Sequence, residues 1–464
     1  MGQKDLQQLN LVKSYIENKY KSEIVSCKTI RDFNGLALSS RNLQLNNKDL
    51  TKARNLIRNL FSFKRKLKDK ENLNNLLKQK KIELKKMFKV SLVGCGRISK
   101  NHFDTIESYK DDIELKAICD IDSEMINKTL NIIKKAGGKP PDVYKNGQHD
   151  FLNLVQRDDL DAVYIATPWE WHHPMAVAAM KQGKHVGVEC PAALKVKDLW
   201  DLVNVSEKEE KHCMLMENVC YRRDVMAVLN MVRNGLFGEL LHCQGGYQHD
   251  LREVKFNNGI QPYGGGLEFN EKGYSESKWR TQHSIDRNGD LYPTHGIGPI
   301  HTMLDINRGN RFIHMTSTAS QSRGLHKHII DQGGNTHTNA NIKFKLGDIV
   351  TSVIKCSNGQ TVVLSHDTSS PRPYSLNFRV QGTEGLWMVD NNSIYVQGLS
   401  KEEHRWESDE AYLKQYDHPL WEKFEKRAAG SGHGGMDFFI LNAFVEPLKR
   451  GSVSYTHLTL PTKA

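Results

Sequence analysis

The chain has 464 residues, 38% of them hydrophobic, and a formal net charge of +11. This length suits two or three domains, and no run of about 18 apolar residues marks a membrane span. The positive charge is concentrated at one end, because residues 1–88 hold 21 of the 65 basic residues but only 8 of the 54 acidic ones. The remaining 376 residues carry a net charge of −2, which argues against nucleic acid as a partner.

Eight cysteines are scattered along the chain without a C-x-x-C pair. This spacing disfavours a zinc knuckle or a disulfide scaffold and suits a reducing compartment. The first residues, Met1–Asp5, contain no apolar signal core, so we expect a cytoplasmic chain. We expect no metal site and no membrane partner.

Residues 1–86 differ in composition from the rest, being rich in Lys, Asn and Leu. Two patches within them, Gly2–Asp5 and Asp32–Asn42, resemble the C-terminal part of pantothenate synthetase (pantoate–β-alanine ligase), in which a Ser-Ser-Arg segment helps to bind ATP phosphates. The fragment lacks that family's nucleotide-binding His motif, so we expect it to be non-functional as a ligase. The last residues, 453–464, resemble translated sequencing adapter. Both ends are therefore left out of the functional argument.

A strand–turn–helix–strand pattern begins at residue 87. Lys89–Val93 predicts a strand, and the turn after it contains Gly94 and Gly96. Gly94 permits a tight turn, and Gly96 lets the backbone approach a pyrophosphate at a helix N-terminus. A second predicted strand ends at Asp120, whose carboxylate is placed to bind ribose hydroxyls and favours NAD over NADP. The pattern predicts an NAD-binding Rossmann domain over residues 87–225.

Further predicted strands of this domain end in polar or aromatic residues. Leu160–Ala166 is followed by Thr167–His173, and Lys184–Glu189 is followed by Cys190. A third strand ends at Glu217 and Asn218. Because ligands bind beyond the carboxyl ends of such strands, these residues are expected on the nicotinamide side.

Residues 226–452 have a different pattern, with mostly strands between residues 312 and 396. Turns such as Ser357-Asn-Gly359 separate them, which predicts an α+β domain with an open, mostly antiparallel sheet. Such a sheet can present one face as a substrate floor or as a homo-oligomer surface.

Tyr292 and His295 lie three residues apart in a segment rich in Gly and Pro. Both residue types serve as general acids and bases, and His titrates near neutral pH. This spacing suggests a catalytic pair at the mouth of a pocket. The alternative is that both are packed loop residues.

The order of these motifs resembles the Gfo/Idh/MocA oxidoreductase superfamily and, within it, glycoside hydrolase family 109, the NAD-dependent α-N-acetylgalactosaminidases. The resemblance covers residues 140–451 and rests on the motifs Trp169-Glu-Trp-His172, Glu217–Asp224, Gly246–Arg252, Trp279-Arg280-Thr and Tyr292–Gly296. Residues 87–139 are more similar to sugar-nucleotide dehydrogenases of the same superfamily. Ordinary dehydrogenases of the superfamily place a Lys after the strand-end Glu, whereas this chain has Cys190, as the Lys-free hydrolases would allow.

The resemblance implies a redox route to hydrolysis. A tightly bound, recycled NAD takes a hydride from C3 of the sugar, a base removes the acidified C2 proton, and the glycosidic bond breaks by β-elimination. Water adds, the hydride returns, and the anomeric configuration is retained. The expected partner is a small carbohydrate or a glycoconjugate.

The resemblance also implies roles for individual residues. The expected catalytic residues are His295, Tyr292 and Glu217. The expected cofactor contacts are Gly94, Gly96, Arg97, Ile98, Asp120, Trp169, Glu170, Trp171, His172, Glu189, Cys190, Asn218 and Tyr292. The expected substrate contacts are Tyr247, Arg280, Tyr292, Pro293, Thr294, His295 and Tyr374. Trp169 and Trp171 could instead be core aromatics, and Glu217 a structural ion-pair partner.

Two other interpretations remain open on the sequence alone. One is an NAD-dependent sugar or inositol dehydrogenase that releases NADH. The other is an inactive chimera, since the two ends look foreign to the rest of the chain.

Overall fold

The computed structural model describes residues 87–96, 106, 109 and 112–450. The predictions for residues 1–86, for Arg97 and Ile98, and for the tail 453–464 lie outside the described residues. Within the described part, no helix combines the length and the apolar composition that a membrane crossing requires.

The first sheet is wholly parallel and has the strand order β3-β2-β1-β4-β5-β6. Its pairings are in parallel register, for example Val93 with Cys119 on one side and with Ile165 on the other. This order is that of a doubly wound Rossmann sheet, whose ligand crevice lies at the carboxyl ends of the strands. The strands are β1 (Phe88–Val93), β2 (Ile113–Cys119), β3 (Asp142–Tyr144), β4 (Ala162–Ile165), β5 (His185–Val188) and β6 (Cys213–Leu215).

Amphipathic helices cover this sheet. In α1, the Asp122 side chain caps the N-terminus by accepting from the backbone N–H groups of Glu124 and Met125, and lysines occupy the last turn, as the helix dipole favours. The helices are α1 (Ser123–Lys135), α2 (Phe151–Val155), α3 (Trp169–Lys181) and α4 (Val196–Glu209), and a 3₁₀ turn at Asn218–Tyr221 follows β6.

The second sheet has eight strands in the order β14-β13-β12-β11-β7-β10-β9-β8. All its pairings are antiparallel except that of β7 with β10, in which Tyr247 lies opposite His366. The strands are β7 (Leu240–Gln248), β8 (Phe312–Ala319), β9 (Ile349–Cys356), β10 (Thr361–Asp367), β11 (Arg379–Gly382), β12 (Gly385–Met388), β13 (Ser393–Val396) and β14 (Glu407–Ser408). The predicted fold class, a parallel Rossmann sheet followed by a mostly antiparallel open sheet, is therefore confirmed.

Helix α8 packs on the second sheet and contributes Ile300 and Met303 to a core shared with Val362 and Trp387. The helices of this part of the chain are α5 (Arg223–Arg233), α6 (Arg252–Lys255), α7 (Arg280–Asp286), α8 (Thr294–Met303), α9 (Gly324–Gly333) and α10 (Glu410–Gln415).

Two further helices at the end of the chain, α11 (Pro419–Ala428) and α12 (Met436–Arg450), return to the parallel sheet. Phe438 and Phe444 share a core with Val90 and Leu92 of β1. The domain boundary at residue 226 stays a prediction, and the structure adds that the later half of the chain supplies part of the Rossmann core.

Several local predictions need correction. The apolar pattern of Asn341–Lys345 predicts a strand, but the segment has no strand pairing, and its Phe344 packs instead on a small separate core that includes Phe256. The segments at Thr167–His173 and Asp290–Pro299 are largely helical, since α3 begins at Trp169 and α8 at Thr294.

Candidate active site

The turn after β1 lies against the end of β4. Gly94 has φ +96°, and a Cβ there would come within 2.4 Å of the Ala166 carbonyl oxygen, so only glycine fits. A Cβ on Gly96 would meet no atom of the described residues within 4 Å. The part of the chain that the structure describes therefore leaves the backbone at Gly96 uncrowded, as a backbone cradle for a pyrophosphate requires.

Asp120 lies at the end of β2 and is tied to this turn. Its carboxylate accepts from the backbone N–H of Cys95 at 2.5 Å and from that of Asp122 at 2.8 Å. Burial raises the pKa of Asp120, and these hydrogen bonds partly oppose that effect. The carboxylate is thus fixed beside the glycine turn, where the sequence predicts a ribose contact.

Trp169 and Glu170, at the N-terminus of α3, face the second domain. The Trp169 ring stacks on His283 at 5.0 Å between centroids and lies 5.7 Å from the Tyr292 ring. Glu170 lies 3.5 Å from His283 Nε2, and His283 lowers the pKa of Glu170. These two residues join the cofactor domain to the candidate substrate site.

Trp171 and His172 have different surroundings. The Trp171 ring packs on His149 at 5.7 Å and on Phe151 at 6.3 Å, beside the core of the parallel sheet. The buried His172 ring has one nitrogen 2.7 Å from the Pro191 carbonyl oxygen and the other 2.7 Å from that of Thr167. His172 thus links the segments that follow β4 and β5 while Trp171 packs on the core, and the structure does not bring either of them into the cluster around Trp169.

Glu189 and Cys190 end β5. Glu189 accepts a hydrogen bond from Tyr164 Oη at 2.7 Å, and the Cys190 thiol donates to Glu217 Oε2 at 3.3 Å. Burial, with the neighbouring Glu217 and Glu189 carboxylates, raises the pKa of the Cys190 thiol well above its usual range. Cys190 is therefore a neutral thiol directed at Glu217.

Glu217 and His295 form the central pair. Glu217 is fully buried, and its two carboxylate oxygens lie 2.8 and 3.0 Å from His295 Nδ1. Burial raises the pKa of Glu217, but the charge and hydrogen bond of His295, together with hydrogen bonds from Thr294 and Cys190, outweigh it, so the net shift is downward. Since an ionised carboxylate only accepts hydrogen bonds, Nδ1 carries a proton and Nε2 is left to exchange protons elsewhere.

A close approach of α8 to the turn after β6 makes this pair possible. A Cβ on Gly298 would lie 2.9 Å from the Glu217 side chain. A larger residue there would push the helix, and His295 with it, away from Glu217.

Aromatic rings surround the pair. The Tyr292 ring lies 4.8 Å from the His295 ring and 4.9 Å from the Tyr247 ring. Burial raises the pKa of both tyrosine hydroxyls, so both are donors at neutral pH. Neither tyrosine can act as a base without a neighbour that takes its proton.

Arg280, at the start of α7, is buried against this aromatic cluster. Its guanidinium lies 5.1 Å from the Trp169 ring and 5.4 Å from the Tyr292 ring, and it is paired with Glu276. The cation is therefore pre-positioned beside Tyr292, consistent with a group that holds a ligand.

The rim of the site contains Tyr374 and His249. Tyr374 is 50% exposed, and its ring lies 5.0 Å from His249, whose Nδ1 is 3.1 Å from Tyr247 Oη. Tyr374 thus contacts the cluster only at its edge. Pro293 and Thr294 start α8 between Tyr292 and His295.

Asp290 supports the Tyr292 loop. One of its carboxylate oxygens accepts from the Tyr292 backbone N–H at 2.9 Å, and the other is buried without a partner among the described residues. Burial raises the pKa of Asp290 to about 6.

A second His–carboxylate pair, which the sequence did not predict, lies in the C-terminal part of the chain. His433 Nδ1 lies 2.8 Å from Asp437 Oδ2, and the Asn218 amide donates to Asp437 Oδ1 at 2.8 Å. His433 is 44% exposed in a Gly-rich loop. In the sequence, the local sign of this site is a His among the glycines of Gly430–Gly435, but no neighbouring residue connects that loop to Asn218. The consecutive residues Glu217 and Asn218 therefore contact two different sites. Glu217 pairs with His295, and Asn218 contacts the His433–Asp437 pair.

A Rossmann sheet with a glycine turn and a strand-end carboxylate, in which Glu217 after β6 pairs with His295 of α8 beside Tyr292, defines an oxidoreductase-type two-domain protein. In agreement, residues 88–217 match the oxidoreductase family with an NAD-binding Rossmann fold. Residues 221–457 match the C-terminal domain of glycosyl hydrolase 109. The chain belongs to glycosyl hydrolase family 109 and is therefore a glycosidase by family. Residues 1–119 also match pantoate-beta-alanine ligase, which confirms the resemblance noted for the N-terminal segment.

Curated relatives are similar over most of the chain. A glycosyl hydrolase family 109 protein of Parabacteroides distasonis is 53% identical over 362 residues, which are 77% of each chain. An alpha-N-acetylgalactosaminidase of Tannerella forsythia is 52% identical over 367 residues, which are 78% of each chain.

Solved structures share the fold at low identity. A levoglucosan dehydrogenase in complex with NADH and levoglucosan has a TM-score of 0.57 at 17% identity, covering 81% of this chain and 94% of its own. A myo-inositol 2-dehydrogenase from Lactobacillus plantarum has a TM-score of 0.53 at 15% identity, covering 80% of this chain and 92% of its own.

Proposed function

We propose that this chain hydrolyses terminal α-N-acetylgalactosaminides, or related α-hexosides, with a tightly held NAD that is recycled in each turnover. The observation that carries the proposal is the buried Glu217–His295 pair beside Tyr292, next to strand ends suited to a dinucleotide. The name of the Tannerella forsythia relative supports the sugar specificity.

The residues at the strand ends fit NAD. Gly94 makes the tight turn, and no described residue crowds Gly96, so the backbone there would receive a pyrophosphate. The carboxylate of Asp120 would bind ribose hydroxyls and repel the extra phosphate of NADP. Trp169, Glu170, Glu189, Cys190 and Asn218 are the remaining candidates within the described residues, and Arg97 and Ile98 are candidates outside them. When bound, NAD would accept a hydride from C3 of the sugar and later return it.

His295 is the base in this proposal. Glu217 fixes the proton on Nδ1, so Nε2 can take the C3 hydroxyl proton or the C2 proton. Tyr292 is protonated and lies beside His295. It would donate a hydrogen bond to the C3 oxygen, and its proton would pass to His295. Loss of the C2 proton beside a C3 ketone expels the C1 substituent by β-elimination.

The departing oxygen needs a proton, and the second pair can supply it. His433 is oriented by Asp437 and is partly exposed, as a group that meets a leaving group and then water must be. Water adding at C1 from the same side gives retention, and His433 would take the proton of that water.

Tyr247, Arg280, Pro293, Thr294 and Tyr374 would hold the sugar. Arg280 and Tyr247 supply buried donors near Tyr292, whereas the half-exposed Tyr374 is placed to contact the outer part of the substrate.

A dehydrogenase that releases NADH is less consistent with the site. The strand-end position that would carry a catalytic Lys holds Cys190, a buried thiol with a raised pKa. Such a group is a poor acid or base near neutral pH.

The test uses the purified full chain and 4-nitrophenyl α-N-acetylgalactosaminide without added cofactor. Nitrophenol release with no net NADH absorbance is the expected result. Accumulation of NADH without nitrophenol would instead identify a dehydrogenase, and absence of both after NAD⁺ is added would reject the proposal.

A homo-oligomer through the open sheet is also proposed. Ile313 and Met315 on β8 and Val353 on β9 are exposed apolar side chains, and their burial against a second copy would remove apolar surface from water. Light scattering of the purified chain tests this, and a monomeric mass at all concentrations would reject it.

A further inference from the structure

A polar insertion, Asn257–Trp279, links α6 to α7. Its last six residues, Tyr274–Trp279, are called here the strap. No function was assigned to this segment by the sequence, and it lies outside the proton-transfer chemistry described above.

The strap has a defined conformation because Asn257 organises it from within. Asn257 is fully buried, and its amide donates to the Tyr274 carbonyl and to Ser277 Oγ, both at 3.0 Å. Its side-chain oxygen accepts from the backbone N–H groups of Tyr274 and Gly259, both at 3.0 Å. A buried amide with all four bonds satisfied holds a loop in one geometry.

One side of the strap contacts the Rossmann domain next to β2. Lys278 Nζ lies 3.5 Å from Asp122 Oδ2, and Lys128 Nζ donates to Tyr274 Oη at 3.2 Å. Asp122 in turn donates its backbone N–H to Asp120, the residue placed at the ribose. The strap is therefore anchored two residues from the predicted adenosine contact.

The other side of the strap contacts the Rossmann domain next to β4. The Trp279 ring lies 5.1 Å from the Trp169 ring, and His283, one helical turn later, stacks on the same ring. Trp169 is the first residue of α3, directly after the end of β4.

In the sheet, β1 lies between β2 and β4. A segment whose side chains reach Asp122, which follows β2, and Trp169, which follows β4, lies near the carboxyl end of β1, where Gly94 and Gly96 form their turn. We propose that the strap is an outer wall of the dinucleotide site that retains NAD between turnovers. This inference rests on the proposed function, because it requires that NAD binds at this turn.

The contacts indicate how strong the retention is. The Lys278–Asp122 pair is half-exposed, and such pairs contribute little individually, so its loss should speed NAD release only about threefold. The Trp279–Trp169 contact is larger and less exposed to solvent, and its loss should speed release about tenfold or more.

The experiment measures release of NAD from the full chain. Protein loaded with NAD⁺ is diluted and filtered at intervals, and the retained nucleotide is quantified for wild type, Lys278→Ala, Trp279→Leu and the control Lys272→Ala. Lys272 is an exposed lysine in the same insertion, so its loss changes the net charge equally. Circular dichroism and thermal unfolding establish that each variant is folded.

Faster release from Lys278→Ala and Trp279→Leu, with Lys272→Ala like wild type, is the expected result. Release from wild type should also quicken at high salt, and that salt effect should shrink in Lys278→Ala because a screened ion pair is its cause. If folded variants release NAD at the wild-type rate, the proposal that the strap retains NAD is overturned while the proposed function stands. If wild type binds no NAD, both are overturned.

Discussion

Replacing Glu217 by Gln is the sharpest test of the central pair, because the side chain keeps its shape and loses only its charge. The carboxylate is fully buried and lies 2.8 Å from His295 Nδ1. A neutral amide can accept from Nδ1–H, but it no longer stabilises a positive imidazole. It can also donate through its NH₂ group, which would leave the wrong nitrogen protonated.

The magnitude follows from the geometry. Two unit charges about 4 Å apart, at an effective dielectric constant of about 20, interact by about 4 kcal/mol. If this interaction is expressed only when His295 becomes charged in the transition state, its loss lowers kcat by about a thousandfold. The KM should change by less than about tenfold, since the carboxylate is buried behind His295.

The assay compares nitrophenol release by wild type, Glu217→Gln and the exposed-site control Glu239→Gln, with the NAD content and melting temperature of each measured in parallel. The control should behave as wild type. If Glu217→Gln retains its fold and cofactor and also keeps kcat within about threefold of wild type, Glu217 is only a structural partner and the proton-transfer argument is wrong.

Three further outcomes are expected. His295→Ala should lose turnover by about a thousandfold or more while its NAD content stays at the wild-type level, and an active variant would remove His295 from the mechanism. The stability of Asp290→Asn relative to wild type should be greater at pH 8 than at pH 5. The reason is that the raised pKa of about 6 gives wild type a stability that is fully present below the unfolded pKa of about 3.8 and is lost as the pH rises through 6. The whole loss is about 3 kcal/mol, of which about half falls between pH 5 and pH 8. Melting temperatures at both pH values test this, and an equal difference at the two would contradict it. Phe438→Ala, which truncates a fully buried ring 5.0 Å from Tyr109, should lower the free energy of unfolding by about 3–5 kcal/mol in urea titrations. Phe438→Leu should cost clearly less, and equal losses would mean that the packing argument fails.

Features that depend on residues close together in the sequence could be predicted from the sequence alone. The glycine turn and Asp120 follow from one strand–turn–helix–strand unit, and the hydrogen bond from the Cys95 N–H places the Asp120 carboxylate beside the turn. Tyr292 and His295 were recognised for the same reason, because three residues of spacing place their rings together when a helix starts between them.

The faces of α3 were harder to predict, since Thr167–His173 was interpreted as a strand end. Once the helix begins at Trp169, residues 169 and 171 differ by about 200° around its axis. Trp169 therefore faces the site and Trp171 the core, a division that the motif alone does not contain.

Long-range pairings were not predictable. Nothing near His433 indicates that its loop meets Asn218, which lies 215 residues earlier. Likewise, the apolar face of α12 shows that the helix is buried but not which sheet covers it.

The return of α12 to β1 makes the order of synthesis relevant to folding. Val90 and Leu92 share a core with Phe438 and Phe444, and Asn442 donates to Tyr109 at 2.5 Å. On the ribosome, the strand that founds the Rossmann sheet emerges first and is covered last, after more than 300 residues have followed it. Until then its apolar face depends on transient cover, and the cofactor domain can reach its final stability only when the C-terminal helix has left the exit tunnel.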